Sequence, residues 1–316
     1  MIVPPLGRAA VRPIVPDYTH YRTVLEPDRN QPDWWAGAPS VARDREGAIW
    51  LACRMREGDS PRGERGYEVR LLRSEDGYRF EPVKSIRREE AGTVSFERPA
   101  LLIDPLTFRI KLYLCRAGKP GPGGWRIDKL DDVDDPADFD PATARPVITA
   151  PCPNQTSQGV KDPFCINIGG VYFMFYIGYG WAAPRELPFL STSMDGEHWA
   201  HRRDPLLPHA GWHDFFTRPS FLLPAGPLFL FYYEGSNQQW FDPVYNIQGG
   251  IAVTFDLQEF ADLTPDAPLF RSSTPGRYET ARYTDYLVME DRVLFYYEAA
   301  RPNDSNEIRV SEAPLW

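Results

Sequence analysis

Residues 158–180 read QGVKDPFCINIGGVYFMFYIGYG. An acidic residue precedes a proline in Lys161-Asp162-Pro163, a short apolar run follows, and Gly169-Gly170 separates it from a second run dense in aromatic and β-branched residues. Two antiparallel strands joined by a two-residue turn account for that order, because Gly-Gly supplies the positive φ angles of a tight hairpin.

The same shape recurs four more times. Ala38-Pro39 leads through a turn near Gly47 into IWLACR, and Arg98-Pro99 leads through Asp104–Arg109 into IKLYLCR. Arg218-Pro219 leads through Gly226 into LFLFYYE, and Asp285-Tyr286 leads through Glu290-Asp291 into VLFYYE. The prolines 39, 99, 163 and 219 recur at a period of about 60 residues, and several strands per period is the sign of a radial repeat. A second element repeats in phase. Ser74-Glu75-Asp76-Gly77 and Ser193-Met194-Asp195-Gly196 each turn a third strand into a fourth. The expected fold is therefore all-β, a five-bladed β-propeller with four-stranded antiparallel blades around a central channel. The blades are expected over 34–85, 96–148, 158–207, 216–269 and 282–316 of a single domain, residues 1–316. Residues 1–30 would complete the last blade, YTHYRTVL (18–25) pairing with EIRVSEAPLW (307–316).

Bulk properties narrow the function classes. A formal charge of −9 argues against nucleic acid, whose phosphates want a basic face. No apolar run approaches the length of a membrane span. Residues 1–16, MIVPPLGRAAVRPIVP, lack a basic-then-apolar leader pattern, so a cytoplasmic location is expected. Cys53, Cys115, Cys152 and Cys165 form no C-x-x-C pair and read as buried reduced thiols. The acidic run DKLDDVDDPADFD (128–140) reads as an exposed loop. No zinc-ligand spacing, P-loop, G-x-S-x-G or dinucleotide fingerprint is present.

In a propeller, the starts of the first strands and the ends of the second strands converge on one mouth of the channel. The first set is Ala38, Arg98, Asp162, Arg218 and Asp285, with Glu97 and Thr217 one step earlier. The second is Arg54, Arg116, Tyr179, Glu234 and Glu298. So many charged groups at a fold's axis call for pairing or for a ligand. The loops before the first strands add Asp33-Trp34-Trp35 and Trp212-His213-Asp214. Exposed tryptophans beside carboxylates suit sugars, offering an apolar face to the ring and acceptors to the hydroxyls.

With its x-Pro strand starts, Lys161-Asp162-Pro163 and the two Ser-x-Asp-Gly turns, the chain resembles the five-bladed propeller glycosidases, glycoside hydrolase families 43, 32, 62, 68, 117 and 130. In family 43 an Asp at the start of blade one is the general base, an Asp-Pro aspartate near blade three tunes the acid, and a Glu near blade four is the acid. The resemblance gives Asp162 the middle role. Ala38 stands where that family has its base, and Thr217-Arg218-Pro219 stands in place of Glu-Gly-Pro. Asp33 and Glu234 are the nearest substitutes by topology, as base and acid. Family 130 includes phosphorylases that hold inorganic phosphate with basic residues, a part open to Arg98 and Arg218.

The expectation is a glycoside-active enzyme working by carboxylate acid/base catalysis, most simply a hydrolase, with a phosphate-dependent phosphorylase or a non-catalytic glycan-binding propeller as alternatives. The catalytic candidates are Asp33, Asp162 and Glu234. The substrate-binding candidates are Trp34, Trp35, Glu97, Arg98, His213, Arg218, Asp285 and Glu298. The expected partner is a carbohydrate or another small molecule. No cofactor is expected; some related propellers hold a divalent ion in the channel, but nothing in this sequence specifies one.

Overall fold

A computed structural model describes residues 14–118, 124–152, 158–179, 186–239 and 245–315. Residues 1–13 and Trp316 of the expected terminal pairing, and Gly180 of the opening hairpin, lie outside these. Besides three single-turn 3-10 helices, the regular structure is entirely strand.

The strands form five successive antiparallel meanders, here called modules one to five, spanning 35–87, 95–148, 159–201, 216–262 and 281–314. Modules two, three and four are separate sheets, while modules one and five share an eight-stranded sheet. A parallel bridge, Trp35↔Asn306, joins them. Arg22–Leu25 pairs antiparallel with the last strand, Asn306–Pro314, in the register Arg22↔Val310. The first strands of the modules adjoin one another in chain order, and that of module five, Ala281–Val288, lies beside that of module one, Trp35–Arg43.

Apolar residues between consecutive modules form the core. Phe175 of module three meets Phe231 of module four at 5.6 Å between ring centroids, and Phe221 of module four meets Phe295 of module five at 5.7 Å. Leu51 and Leu72 of module one pack in one cluster with Leu294 and Tyr296 of module five. Each module thus has both faces covered, which is why the central strands read as continuous apolar runs rather than alternating ones.

Every first strand is broken by a bulge. Register shifts fall between Gly37 and Ser40, Lys161 and Phe164, Pro219 and Phe221, and Arg282 and Asp285, and in module two pairing stops at Phe96 and resumes at Ala100. Pro39, Pro99 and Pro163 sit inside these breaks because proline has no N–H for the ladder. Ala38, Asp162 and Tyr283 occupy equivalent positions at φ 53°, 56° and 53°. A bulge frees backbone N–H groups that must find other acceptors. The second strand of the preceding module provides them: Glu298 accepts from the N–H of Ala38 (3.0 Å), Cys115 Sγ from that of Asp162 (3.4 Å), and Glu234 from that of Tyr283.

This register corrects the alignment made on prolines. Modules four and five carry Ser220 and Thr284 where the first three carry the bulge proline. Arg218 is therefore level with Lys161 and Glu97, not with Asp162. The residue level with Asp162 in module five is Tyr283, and Asp285 follows the bulge at the level of Phe164.

The two Ser-x-Asp-Gly turns have one construction. Ser74 Oγ accepts from the N–H of Gly77 (2.9 Å) and Ser193 Oγ from that of Gly196 (2.8 Å). Each glycine has positive φ, and its carbonyl accepts a tyrosine hydroxyl of the preceding module: Tyr296 on Gly77 at 2.9 Å and Tyr113 on Gly196 at 3.0 Å. A Cβ at either position would sit 2.7–2.8 Å from that hydroxyl. Thr254-Phe255-Asp256-Leu257 is a third copy, with Thr254 Oγ1 accepting from Leu257 N–H at 3.0 Å; the Thr and Leu hid it from the sequence reading.

Candidate functional site

Because the bulges fall at one level, the residues that lead into them, the last before each break or in module four the one before Pro219, converge on one end of the molecule. They are Gly37, Glu97, Lys161, Arg218 and Arg282. Glu97, Lys161, Arg218 and Arg282 line a cavity of about 460 Å³. Gly37 contributes no side chain, since a Cβ there would run into the Glu298 carboxylate. Trp125, Tyr179, Phe215, Phe216, Tyr245 and Tyr283 add aromatic lining, and Arg54, Arg56, Arg62, Arg65 and Glu186 add charge.

Glu97 and Glu186 are the cavity's carboxylates among the described residues. The Glu97 side chain is 19% exposed and receives the Arg54 guanidinium. Burial pushes its pKa up, but Arg54 and then Lys161 outweigh burial and hold it well below the usual carboxylate range. Glu186, 24% exposed, pairs with Lys161 Nζ at 2.5 Å and Arg218 Nε at 3.4 Å. Burial again opposes ionisation, and Lys161 and Arg218 again prevail, leaving its pKa lowered.

A second tier of carboxyls lies behind the floor. Asp162 accepts from the Arg98 backbone N–H at 3.2 Å and from the Tyr283 hydroxyl at 3.1 Å. Burial raises its pKa against the pull of Lys161. Tyr283 links the tiers: it lines the cavity, accepts from Arg218 Nη1 at 3.4 Å and donates to Asp162. Glu234 is buried, accepts from Ser220 Oγ at 3.2 Å, and is also raised by burial.

Of the sequence candidates, Glu97 and Arg218 line the cavity. The others are placed differently. Asp33, the expected base, sits on the turn before module one, where Arg65 holds it at 3.1 Å, and it does not line the cavity. Glu234, the expected acid, stands behind Arg218 and Tyr283. Trp34 and Trp35 are 6% and 1% exposed, so they are not open sugar platforms; Trp35 instead lies under Arg56, whose Cζ is 3.6 Å from a ring centroid. Arg98 cannot serve as an anion clamp as it stands, because it is fully buried and its Nη1 and Nη2 donate to the carbonyls of Ser220 (2.8 Å) and Thr284 (3.1 Å). His213 is buried between Thr217 Oγ1 (2.7 Å) and Asp262 (3.3 Å). Asp285 accepts from the N–H groups of Val41 (2.9 Å) and Tyr286 (2.8 Å) and is a strap between modules. Glu298 is fully buried beneath Arg54 and Arg282.

The reading missed Lys161, Glu186, Arg282 and Tyr283. Lys161 and Arg282 follow from counting to the residue before the bulge instead of to the proline, and Tyr283 is the next residue on, level with Asp162. Glu186 immediately precedes the third strand of module three, Leu187–Ser193, for which no repeat signal exists. The acidic run 128–140 is not an exposed loop throughout: Asp128 and Lys129 are fully buried. Asp128 pairs with Arg116 and Arg126, and Lys129 with Asp132 and Glu197. All four cysteines are buried and unbridged. Among the described residues, no three His, Cys, Asp or Glu side chains are grouped to hold a metal, and no helix is long and apolar enough to cross a membrane.

Neither a protein-family model nor a curated protein matches the sequence. Solved structures share the fold. One described as a glycoside hydrolase superposes with a TM-score of 0.73 at 14% identity, over 95% of this chain and 92% of the other. The β-1,2-mannobiose phosphorylase from Listeria innocua, in complex with β-1,2-mannobiose, gives 0.66 at 13% identity, covering 92% of this chain and 94% of that one. An α-L-arabinofuranosidase from Lactobacillus brevis gives 0.66 at 13% identity, covering 88% and 90%. At such identities the likeness is one of fold.

Proposed function

We propose that this chain is a glycoside-active enzyme, a hydrolase or an inorganic-phosphate-dependent phosphorylase. In this reading the five modules are the blades of a propeller closed by its own termini, and a sugar occupies the cavity. The cyclic contact of the first strands and the Glu298–Ala38 link from module five to module one support the closed ring. The fold shared with glycoside hydrolases and a phosphorylase supports the chemistry.

The observation that carries the proposal is the split between two tiers of carboxyl groups. Glycosidic cleavage by water needs an ionised carboxylate to activate the water and a proton donor for the leaving oxygen. Neighbouring titratable groups whose environments push their pKa values apart mark such a division. Glu97 and Glu186 face the cavity and are held ionised, whereas Asp162 sits behind Tyr283 and is pushed toward its protonated form. Glu186, the more exposed of the two at 24% against 19% and with no arginine nearer than 3.4 Å, takes the role of base. Glu97 then accepts a sugar hydroxyl. Asp162 reaches the cavity only through the Tyr283 hydroxyl. With Asp162 protonated this hydrogen bond reverses, Asp162 donating to the Tyr283 oxygen; as the glycosidic bond breaks, Tyr283 gives its own proton to the leaving oxygen and takes that of Asp162. With phosphate as nucleophile the base is dispensable and the cations hold the dianion, an arrangement favoured by the excess of basic side chains around the cavity.

Proton NMR of anomeric signals tests this, using oligosaccharides and aryl glycosides with and without phosphate. Glu186→Gln, Asp162→Asn and Tyr283→Phe should each slow hydrolysis by about 100-fold or more. If cleavage requires phosphate, Glu186→Gln should cost far less than the other two. A full rate in Tyr283→Phe would remove the relay. No new anomeric signal, with sugar lines broadened by the protein, would favour a glycan-binding propeller, the state to which Ala38 and Thr217 at the family's carboxylate positions also point.

A further inference from the structure

The protein is acidic overall, with a formal charge of −9, yet its cavity gathers cations. Five of them are matched: Arg54 by Glu97, Arg65 by Asp33, Lys161 and Arg218 by Glu186, and Arg282 by Glu298. Arg56 is not. It is 8% exposed, among the described residues no carboxylate lies within ion-pair distance, and its Nε has no hydrogen-bond partner. Among the described residues, the one hydrogen bond of its side chain runs from Nη2 to the Tyr245 hydroxyl at 3.0 Å. Burial accordingly lowers its pKa. Arg62, exposed at the same edge, has its Cζ 5.3 Å from the Tyr245 ring centroid and also lacks a carboxylate partner among the described residues. A buried guanidinium without an anion is costly, and such groups are retained where something supplies the missing charge.

We propose that Arg56 and Arg62 form a subsite for an oxyanion carried by the sugar, namely the carboxylate of a uronic acid or a sulfate or phosphate ester. This rests on the glycoside-active reading above and names the substrate class for it. The guanidinium fork of Arg56 is matched to two oxygens of a carboxylate, sulfate or phosphate. Trp35 beneath it fixes the plane of the fork. The Tyr245 hydroxyl, which accepts from Arg56, keeps its own proton for the same oxyanion. Free phosphate offers the same oxygens, so the source of the anion is settled by competition.

The test is isothermal titration calorimetry of the full chain with methyl glycosides of glucuronic, galacturonic and mannuronic acids, with 6-sulfated and 6-phosphorylated hexosides, with the neutral parents, and with inorganic phosphate alone. At least one charged glycoside should bind about tenfold tighter than its neutral parent, one charge-assisted contact being worth about that factor. Added salt should weaken the preference. Arg62→Ala, at an exposed position, and Arg56→Gln should each reduce it about tenfold, whereas Arg56→Lys should keep part of it; thermal unfolding of each variant verifies the fold. Equal affinity for charged and neutral sugars overturns the proposal, as does a preference that survives both Arg62→Ala and Arg56→Gln. If inorganic phosphate binds, is lost in Arg56→Gln, and charged sugars gain nothing, the oxyanion is a co-substrate; the proposal then falls and the glycoside reading stands. If no glycoside of either kind binds, both fall.

Discussion

Glu298 and Glu234 occupy the same place in successive modules and are treated in opposite ways. Each lies on a second strand opposite the arginine that precedes the bulge, Arg282 and Arg218 respectively. Each accepts the freed N–H of the next module, from Ala38 and from Tyr283. Glu298 is further met by Arg54 at 3.0 Å, Arg282 at 2.8 Å and Asn306 Nδ2 at 2.6 Å. Burial would raise its pKa, but the two arginines prevail and lower it. Glu234 has Arg218 no nearer than 3.9 Å, and its Oε2 has no hydrogen-bond partner. There burial prevails and the pKa rises. Position, register and burial are shared, so none of them sets the charge. What differs is where the arginine points: Arg282 turns back onto its own strand partner, while Arg218 reaches toward Glu186 and the cavity. Both arginines line the cavity, but only Arg218 takes its close carboxylate partner there and leaves its own strand partner poorly paired.

The largest effect expected from this contrast is on stability. Glu298→Gln strips the carboxylate from two buried guanidinium groups and should cost about 3–5 kcal/mol in denaturant unfolding. Glu234→Gln removes a poorly paired group and should stay within about 1 kcal/mol at neutral pH. Equal costs would break the comparison.

The pH dependence should differ in sign. Glu298 has a folded pKa below its ordinary 4.5, so its contribution is present above pH 4.5 and is lost as pH falls through the lower folded value. Glu234 has a folded pKa above 4.5, so its contribution is complete below pH 4.5 and is lost as pH rises through the higher folded value. Glu298→Gln should therefore flatten the acid limb of the stability curve. Glu234→Gln should gain on wild type as pH increases from 4.5 toward neutrality. Unfolding midpoints measured across that range check both, and parallel curves for the two variants would show that the carboxyls do not differ in protonation.

How much of this was legible in the sequence follows the same line. The hairpins, their period and the Ser-x-Asp-Gly turns were readable because backbone demands fix residue type there: proline where a ladder N–H is missing, glycine where a tyrosine hydroxyl of the preceding module closes on the turn. Module four escaped by one residue and module five by two, because Ser220 and Thr284 bulge without proline. The cavity was half legible. Glu97 and Arg218 are reached from the strand starts, but Trp34, Trp35 and His213 are suggested only by chemical type and Asp33 only by its place in the chain, and each is occupied by local partners that only packing reveals. Glu186 is set by the path of a third strand, and nothing in the residues around it announces that path.

The smallest expected effect concerns the lesser partners of the two carboxyls. Asn306 donates to Glu298 at 2.6 Å, a hydrogen bond to an ionised group. Ser220 has one hydroxyl proton and two acceptors, Glu234 Oε1 and the Thr284 carbonyl, both at 3.2 Å. A bond to a charged acceptor is worth about 1.5–3 kcal/mol, whereas a shared bond to a neutral one is worth less than about 1 kcal/mol. A double-mutant cycle of Asn306→Ala with Glu298→Gln should thus give a coupling above about 1 kcal/mol at pH 7, and Ser220→Ala with Glu234→Gln one below about 0.5 kcal/mol. Since Glu234 has a pKa raised above 4.5 and ionises as pH rises, the second coupling should grow toward the first as pH climbs above 4.5, while the first stays flat. If instead the serine cycle is large and constant, Glu234 is already charged in the folded protein, and the contrast between the two carboxyls collapses.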